Sequence, residues 1–235
     1  MKLYIVATPI GNLEDMTFRA VRILQEVDYI ICEDTRVTGK LLAKYEIKKP
    51  LISYHQRSKE DKIDLIIDKL REGYDLALVT DAGTPGISDP GNELVAKVRE
   101  VLEREIKTGE MQIIPIPGVS AITTLASVAG INLQKFVFLG FPPNKKGRQT
   151  FFKEVVRLVD EEKFPIFYYD SPYRVIKNLQ LLRELLPEAR VTMGRELTKK
   201  FEEIKSGTVE DILGYYLEKR EGVVKGEFVV LVHTV

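Results

Sequence analysis

A chain of 235 residues in which 44% of the side chains are hydrophobic and 30% are charged has enough apolar material for folded cores, which excludes a disordered protein. The 35 basic and 35 acidic residues give a net charge of zero, so any contact with nucleic acid must come from a local basic patch. One cysteine excludes an intrachain disulfide framework, and with only two histidines beside it the sequence predicts no transition-metal site, while nothing in it points to a carboxylate-bound magnesium.

Strands and helices alternate through the first half of the chain. Short apolar runs predict strands at residues 2–7, 28–32, 51–54, 76–80 and 111–116. Apolar residues at helical spacing predict helices at 18–27, 37–45 and 94–106. A further helix is predicted between Ser58 and Gly73, where Ser58 and Asp61 have the spacing of a capping box. Strands that are apolar on both faces are typical of a parallel sheet covered by helices on each side.

The second half of the chain has a different pattern. Pro115, Pro117 and Gly118 interrupt the alternation and predict a boundary between domains of residues 1–115 and 116–235. The predicted elements that follow are helices at 120–129, 149–161 and 175–186 and strands at 136–141, 165–169, 191–195, 202–206 and 227–233. Only one helix, begun by Thr208, separates the last three strands. This arrangement indicates a mixed sheet in a second α/β domain.

Two loops that follow strands of the first domain are rich in glycine and proline. Residues 81–91 hold three glycines, two prolines and two aspartates, and residues 8–15 follow the first strand in the same way. Open α/β sheets bind ligands at the carboxyl ends of their strands, and glycine lets a backbone approach a ligand closely. A tight turn before a capped helix is the alternative for the longer loop. Neither loop has the spacing of a dinucleotide or Walker A fingerprint.

Six segments, spread from Ala7 to Thr208, resemble the successive motifs of the ribosomal RNA small subunit methyltransferase I family, a branch of the tetrapyrrole methylases. They are ATPIGNLEDMTFRA from Ala7, EDTRVTGKLL from Glu33, DAGTPGISDPG from Asp81, PIPGVSAITTLASVAG from Pro115, GFPP from Gly140 and ELTKKFEEIKSGT from Glu196. Corrin and porphyrin enzymes of the wider family carry GxGPG in the first loop and GDP in the second. This chain has TPIG and AGTP there, which favours an RNA substrate.

The resemblance implies a fold, a cofactor and a reaction. The fold is a two-domain α/β structure with a mostly parallel N-terminal sheet, a mixed C-terminal sheet and the active cleft between them. The cofactor is S-adenosylmethionine, and the methyl group goes to a ribose 2′-hydroxyl of a cytidine in 16S ribosomal RNA of the small subunit. A homodimer is the expected assembly. No run reaches the ~18 apolar residues of a membrane span, so we expect a cytoplasmic protein without membrane contact.

The resemblance also points to site residues. Cofactor binding is expected at the two loops and at a helix start, and the residues are Pro9, Ile10, Gly11, Asp81, Ala82, Gly83, Thr84, Pro85, Gly86, Ser120, Ala121 and Thr124. A ribose hydroxyl is a very weak acid, so a nearby carboxylate would help as a general base. The candidates in the motifs are Glu33, Asp34, Asp81 and Glu196. Each could instead cap a helix or form an ion pair, and the sequence does not single one out.

Cations form the other half of an RNA site, because phosphate contacts supply most of the affinity. The candidates are Lys145, Lys146 and Arg148, which cluster beside the GFPP turn, and Arg36, Arg174, Arg195 and Lys199. A solvated loop is the alternative for the cluster. In many family members a basic extension follows the last strand. Because this chain stops at Val235, its RNA contacts are expected from the residues named here.

Two other functions stay open at this point. One is a methylase of a porphyrin or corrin, which would need a wide, largely apolar cleft. The other is a module that binds S-adenosylmethionine without catalysis, since a fold alone does not imply an activity.

Overall fold

The computed structural model describes residues 1–55, 60–218 and 224–234. The chain divides into two units, Met1–Ser120 and Ala121–Val235. Each unit is built around its own five-stranded sheet. Among the helices that can be described, none combines the length and apolar character needed to cross a membrane.

The boundary between the units lies beyond residue 115, which falls inside the last strand of the first sheet. The segment after this strand packs on the first unit. A Cβ added to Gly118 would lie 2.9 Å from the Cβ of Ala7, and the hydroxyl of Thr84 donates to the backbone oxygen of Val119 at 3.0 Å. Pro115, Pro117 and Gly118 mark the change in the sequence pattern, but these contacts show that residues 117–119 belong to the first unit.

The first unit alternates strands and helices as expected. Its elements are β1 (Lys2–Val6), α1 (Phe18–Glu26), β2 (Tyr29–Cys32), α2 (Thr35–Lys44), β3 (Leu51–Ser53), α3 (Glu60–Arg71), β4 (Leu76–Leu78), α4 (Gly91–Val101), α5 (Glu103–Thr108) and β5 (Gln112–Ile116). The strand order is β3-β2-β4-β1-β5, and every pairing is parallel. The predicted parallel sheet is confirmed, and all five strands therefore end at one edge.

The sheet of the first unit is buried on both faces. Leu3 and Ile31 belong to a cluster with residues of α3 and α4, whereas their chain neighbours Tyr4 and Ile30 belong to a second cluster with residues of α1 and α2. Successive side chains of a strand point to opposite faces, so helices on both sides require apolar residues at every position. This is why the strands read as unbroken apolar runs.

The predicted helix at 94–106 is wrong in one respect, because it is two helices. Leu102, between α4 and α5, has φ −108° and ψ 28°, and its side chain is fully buried. The Leu102 N–H donates to the Val98 oxygen at 2.9 Å and its oxygen accepts the Ile106 N–H at 2.9 Å, so the two helices remain joined at this residue. Asp61 lies in the first turn of α3, but Ser58, the other half of the expected capping box, lies outside the described residues.

The second unit has the predicted mixed sheet. Its elements are α6 (Ala121–Ala126), β6 (Val137–Phe138), α7 (Arg148–Val156), β7 (Ile166–Asp170), α8 (Val175–Leu185), β8 (Arg190–Arg195), β9 (Glu203–Thr208), α9 (Val209–Glu218) and β10 (Phe228–His233). The strand order is β6-β7-β10-β8-β9, with β6 parallel to β7 and the other pairs antiparallel. Thr208 begins α9 as expected, since its hydroxyl and the Asp211 backbone N–H form a capping bond of 3.1 Å.

Three predicted elements of this unit are shorter than expected. The strand at 136–141 covers only β6, because Gly140 takes φ +70° and turns the chain away. The helix at 120–129 ends at Ala126, before Gly130 with φ +68°. The helix at 149–161 is α-helical only to Val156 and continues as a π-helix over Arg157–Glu161. Glycine permits a positive φ at little cost, which explains the first two endings.

Candidate functional site

The loops after β1 and β4 are joined backbone to backbone. The N–H of Thr8 donates to the oxygen of Gly83 at 2.9 Å, and the N–H of Gly83 donates to the oxygen of Thr8 at 3.0 Å. The Thr8 hydroxyl also donates to the oxygen of Thr80 at 3.0 Å. Because β1 and β4 are neighbours in a parallel sheet, these bonds unite the two expected ligand loops at the carboxyl edge of the sheet.

The loop between β4 and α4 is held in a fixed shape by Asp89. Its Oδ1 accepts the N–H of Gly86 at 2.8 Å and the N–H of Gly91 at 2.7 Å. A Cβ added to Gly91 would lie 2.8 Å from the same oxygen, so only glycine fits there. Gly83 has φ +85°, another position that favours glycine. Sequence reasoning missed Asp89, although an aspartate just before a helix is a usual capping signal.

The joined loops contain most of the residues expected to bind a cofactor. Only Ser120, Ala121 and Thr124 lie elsewhere. Ser120 ends the first unit, whereas the other two lie in α6 of the second.

Backbone donors of the joined loops are available to a ligand. The N–H groups of Ala82 and Thr84 donate to no acceptor within residues 1–55, 60–218 and 224–234. Ala82 is exposed. Donors that the protein leaves open in a loop of fixed shape suit a small polar ligand. The loop residues therefore fit a cofactor that has carboxylate, hydroxyl or ring-nitrogen acceptors.

Two of the candidate carboxylates are held in ion pairs. Asp34 accepts Nη2 of Arg36 at 2.6 Å and the Arg36 backbone N–H at 2.8 Å, and these bonds hold its pKa well below the usual value. Burial alone would raise the pKa of Glu196, but the Lys199 ammonium at 2.9 Å and the Glu227 N–H at 3.0 Å lower it overall. Both carboxylates are stabilised in the charged form and are poor proton acceptors.

The other two carboxylates lie together beside the joined loops. Burial raises the pKa of Glu33, and the neighbouring Asp81 and Asp89 carboxylates raise it further. Burial also raises the pKa of Asp81, although the Asp34 backbone N–H, which it accepts at 3.1 Å, lowers it. With the residues that the structure describes, Glu33 forms no hydrogen bond or ion pair. A raised pKa and a free carboxylate are what a general base requires.

No group of three or more histidine, cysteine, aspartate or glutamate side chains that could hold a metal ion occurs in the described ranges.

The expected RNA-binding cations differ in how far they are already paired. Arg36 is paired with Asp34, and Lys199 lies between Glu196 and Glu227 at 2.9 and 2.8 Å. Arg195 donates to a backbone oxygen, that of Lys225, at 2.7 Å. These three cations have partners within the protein, so they are less available to phosphates than unpaired cations would be.

The remaining four cations belong to the segments after β6 and β7. The Arg174 guanidinium donates to the Ser171 hydroxyl at 3.0 Å, to the Pro142 oxygen at 2.9 Å and to the side chain of Asn144. It therefore ties the two segments together. Lys145 and Lys146 are exposed, and neither has a hydrogen bond or ion pair with any residue that the structure describes. Arg148 begins α7 and is half-buried.

The sheets and the joined loops define a class of protein. The family model of tetrapyrrole (corrin/porphyrin) methylases matches residues 2–213. A cobalt precorrin-4 methyltransferase of cobalamin biosynthesis is similar in structure, with a TM-score of 0.67 and 20% identity, over 98% of this chain and 94% of that one. The methyltransferase CobJ has a TM-score of 0.67 and 19% identity, over 99% and 94%. The fold is that of the tetrapyrrole methylases, which use S-adenosylmethionine.

Sequence relatives identify the branch. A ribosomal RNA small subunit methyltransferase I from Halalkalibacterium halodurans is 43% identical over 98% of this chain and 75% of its own length. Proteins of the same name from Bacillus subtilis and Synechocystis are 40% and 41% identical, each over 98% of this chain and over 74% and 78% of their own. The chain belongs to the ribosomal RNA small subunit methyltransferase I family and is an S-adenosylmethionine-dependent methyltransferase.

Proposed function

We propose that this protein transfers a methyl group from S-adenosylmethionine to the ribose 2′-hydroxyl of a cytidine in 16S ribosomal RNA of the small ribosomal subunit. The observation that carries the proposal is 43% identity, over 98% of the chain, to a relative named for this substrate class. The loop sequences TPIG and AGTP, which differ from those of corrin and porphyrin enzymes, support the same substrate.

The joined loops are the proposed cofactor site. The open N–H groups of Ala82 and Thr84 would donate to polar groups of the cofactor, and the turn at Pro9–Gly11 would support it from the first loop. When bound, S-adenosylmethionine supplies an electrophilic methyl group on a positively charged sulfur. Glu33 and Asp81 are neighbouring carboxylates, and the negative charge of Asp81 raises the pKa of Glu33. A positive charge beside them, such as that of the sulfur, would offset this repulsion.

Glu33 is the proposed general base. Its carboxylate has a raised pKa and has no hydrogen bond or ion pair with the residues that the structure describes, whereas Asp34 and Glu196 are held in ion pairs and Asp81 already accepts a backbone bond. Methyl transfer is an in-line displacement, so most of the rate should come from holding the reactants in line. A base that takes the hydroxyl proton would add roughly 10²–10⁴-fold.

The proposed RNA contacts are those of the exposed Lys145 and Lys146, with Arg148 beside them. We also propose a cytoplasmic location, where the substrate subunit is found, and a homodimeric assembly. Light scattering tests the assembly: a homodimer has twice the 26.8 kDa mass of the chain, and a monomer at every concentration would contradict it.

Methyl transfer to small subunits that lack the modification tests the role of Glu33. We expect Glu33→Gln to lower kcat by roughly 10²–10⁴-fold and to leave S-adenosylmethionine affinity within about twofold. The matched control is Asp64→Asn, which neutralises an exposed carboxylate of α3 in the same unit. A Glu33→Gln enzyme as fast as this control would exclude Glu33 as the base.

A further inference from the structure

Two large aromatic side chains of the second unit are exposed to solvent beside the basic cluster. Tyr173 exposes 86% of its surface and Phe141 exposes 49%. Tyr173 immediately precedes Arg174, and Phe141 lies in the segment that carries Lys145 and Lys146. Exposed apolar surface next to polar groups commonly marks a binding site.

Hydrogen bonds join the two segments that carry these aromatic residues. Arg174 donates to Pro142 and Asn144, which follow Phe141 closely in the chain. The N–H of Tyr169 donates to the oxygen of Gly140 at 2.9 Å. Both segments are therefore fixed to each other on either side of the exposed rings, and neither ring depends on a flexible tail for its position.

The ring of Phe141 is also supported from below. It packs on the ring of Tyr169 with centroids 5.3 Å apart and planes inclined by 55°. Packing against a strand residue limits the rotation of an exposed ring, so it loses less freedom when a ligand stacks on it.

The charges around the rings favour a polyanion as the ligand. Lys145 and Lys146 are exposed without a partner in the described parts of the chain, and Asp170, the last residue of β7, is only 2% exposed. Aromatic rings beside unpaired cations match the two features of a nucleic acid strand, which are base faces and phosphates. The bases of a continuous duplex already stack on each other and offer no free faces.

We infer that Phe141 and Tyr173 form a stacking platform for unpaired bases of the RNA substrate, with Lys145 and Lys146 contacting the adjacent phosphates. The inference rests on the proposed function, in which RNA is the substrate. It adds that the protein recognises an unpaired segment and that stacking contributes to affinity separately from charge.

Binding of a labelled single-stranded RNA and of a blunt-ended RNA duplex to the full chain tests the platform. We expect Tyr173→Ala to weaken single-stranded binding by about 5- to 150-fold, the range for removal of one stacked base. Its salt dependence should stay unchanged, because the lysines still bind the same phosphates. Tyr173→Phe keeps the ring and should bind within about twofold of the wild type. Duplex binding should be the same for all three proteins.

A matched control is Phe201→Ala. Phe201 is another exposed aromatic of this unit, at 67%, but the Lys200 ammonium lies over its ring at 5.7 Å from the centroid. Equal single-stranded affinities of Tyr173→Ala and Phe201→Ala would overturn the platform. A Tyr173→Ala variant whose molar mass falls by half in light scattering would overturn it too, because the ring would then belong to a contact between two copies.

The outcomes separate the platform from the proposed function. If the wild type binds and methylates RNA while Tyr173→Ala keeps full affinity, only the platform fails. If the wild type binds no RNA, both fail. If Tyr173→Ala loses affinity equally for single-stranded RNA and for the duplex, the surface binds RNA through phosphates alone and the platform is wrong.

Discussion

Gly83 faces Ile10 across the joined loops, and a Cβ on Gly83 would lie 3.5 Å from Cγ2 of Ile10. That is an ordinary van der Waals distance, so the protein itself has room for a small side chain. The backbone is the stronger constraint, because Gly83 has φ +85°. Glycine is needed here for the shape of the loop and for the approach of a ligand, not for packing within the protein.

The first prediction separates these two effects. Gly83→Ala should cost about 1–2 kcal/mol of stability from its left-handed backbone and should also weaken S-adenosylmethionine binding, as measured by denaturant unfolding and calorimetry. Gly73→Ala is the control, because Gly73 has φ +96° and no neighbour within 4 Å of an added Cβ. It should lose similar stability and keep cofactor affinity. Equal cofactor affinity in the two variants would argue against the loop as the cofactor site.

The second prediction concerns the aspartate that shapes the same loop. Asp89→Ala leaves the N–H groups of Gly86 and Gly91 without their acceptor, which should cost about 1–3 kcal/mol and lower cofactor affinity. Asp89→Asn keeps an acceptor oxygen and should lose less of both. If the alanine and asparagine variants have the same stability and affinity, the two hydrogen bonds do not set the loop conformation.

The third prediction concerns pH. Burial raises the pKa of Asp170 to about 6, although the Asn178 amide at 2.8 Å and the Ser171 N–H at 2.7 Å lower it. The folded protein therefore binds this proton more tightly than the unfolded chain, where an aspartate has a pKa of about 3.9. Stability from this group is greatest below about pH 4 and is lost as the pH rises through about 6.

Asp170→Asn removes this pH dependence. The free energy of unfolding of the wild type relative to the variant should fall by up to about 1.4 kcal/mol per pH unit between about pH 4 and 6 and then level off. Asp64→Asn, which also removes one carboxylate but at an exposed site, is the control for the loss of a negative charge. A constant difference between the wild type and Asp170→Asn would mean that Asp170 titrates at an ordinary pH.

The fourth prediction concerns the basic cluster of Lys145, Lys146 and Arg148. Replacing all three with glutamine should weaken RNA binding and reduce the slope of log K against log salt by about 0.7 for each phosphate that is no longer neutralised. Cofactor affinity should hardly change, because the cluster and the joined loops lie in different units. Loss of cofactor binding with an unchanged salt slope would assign the cluster to the cofactor instead of the RNA.

The sequence predicts those parts of the molecule that depend on neighbouring residues in the chain. The parallel sheet follows from strands that are apolar on both faces. The start of α9 follows from Thr208, whose hydroxyl accepts the N–H of Asp211 three residues later. The break at Leu102 could not be predicted, because no glycine or proline in residues 94–106 marks it. The π-helical segment Arg157–Glu161, which continues α7, could not be predicted either, because no local pattern indicates it.

The candidate site likewise has features that the sequence predicts and features that depend on contacts formed in the fold. Glycines at 83, 86 and 91 predicted a ligand loop, since they are required by backbone geometry within the loop itself. The pairing of Lys199 with Glu227 joins residues far apart in the sequence, so the sequence could not separate structural cations from available ones. The difference between Glu33 and Glu196 as bases likewise depends on contacts formed only in the fold.

Mass mapping of the methylated nucleotide tests the proposed function most directly. Small ribosomal subunits that lack the modification are incubated with the protein and S-adenosylmethionine, and the 16S RNA is then digested and analysed by mass spectrometry. We predict one added methyl group on the ribose of a cytidine, with none when Glu33→Gln replaces the wild type over the same short incubation. A methyl group on a base, or subunits left unmodified by the wild type, would contradict this function.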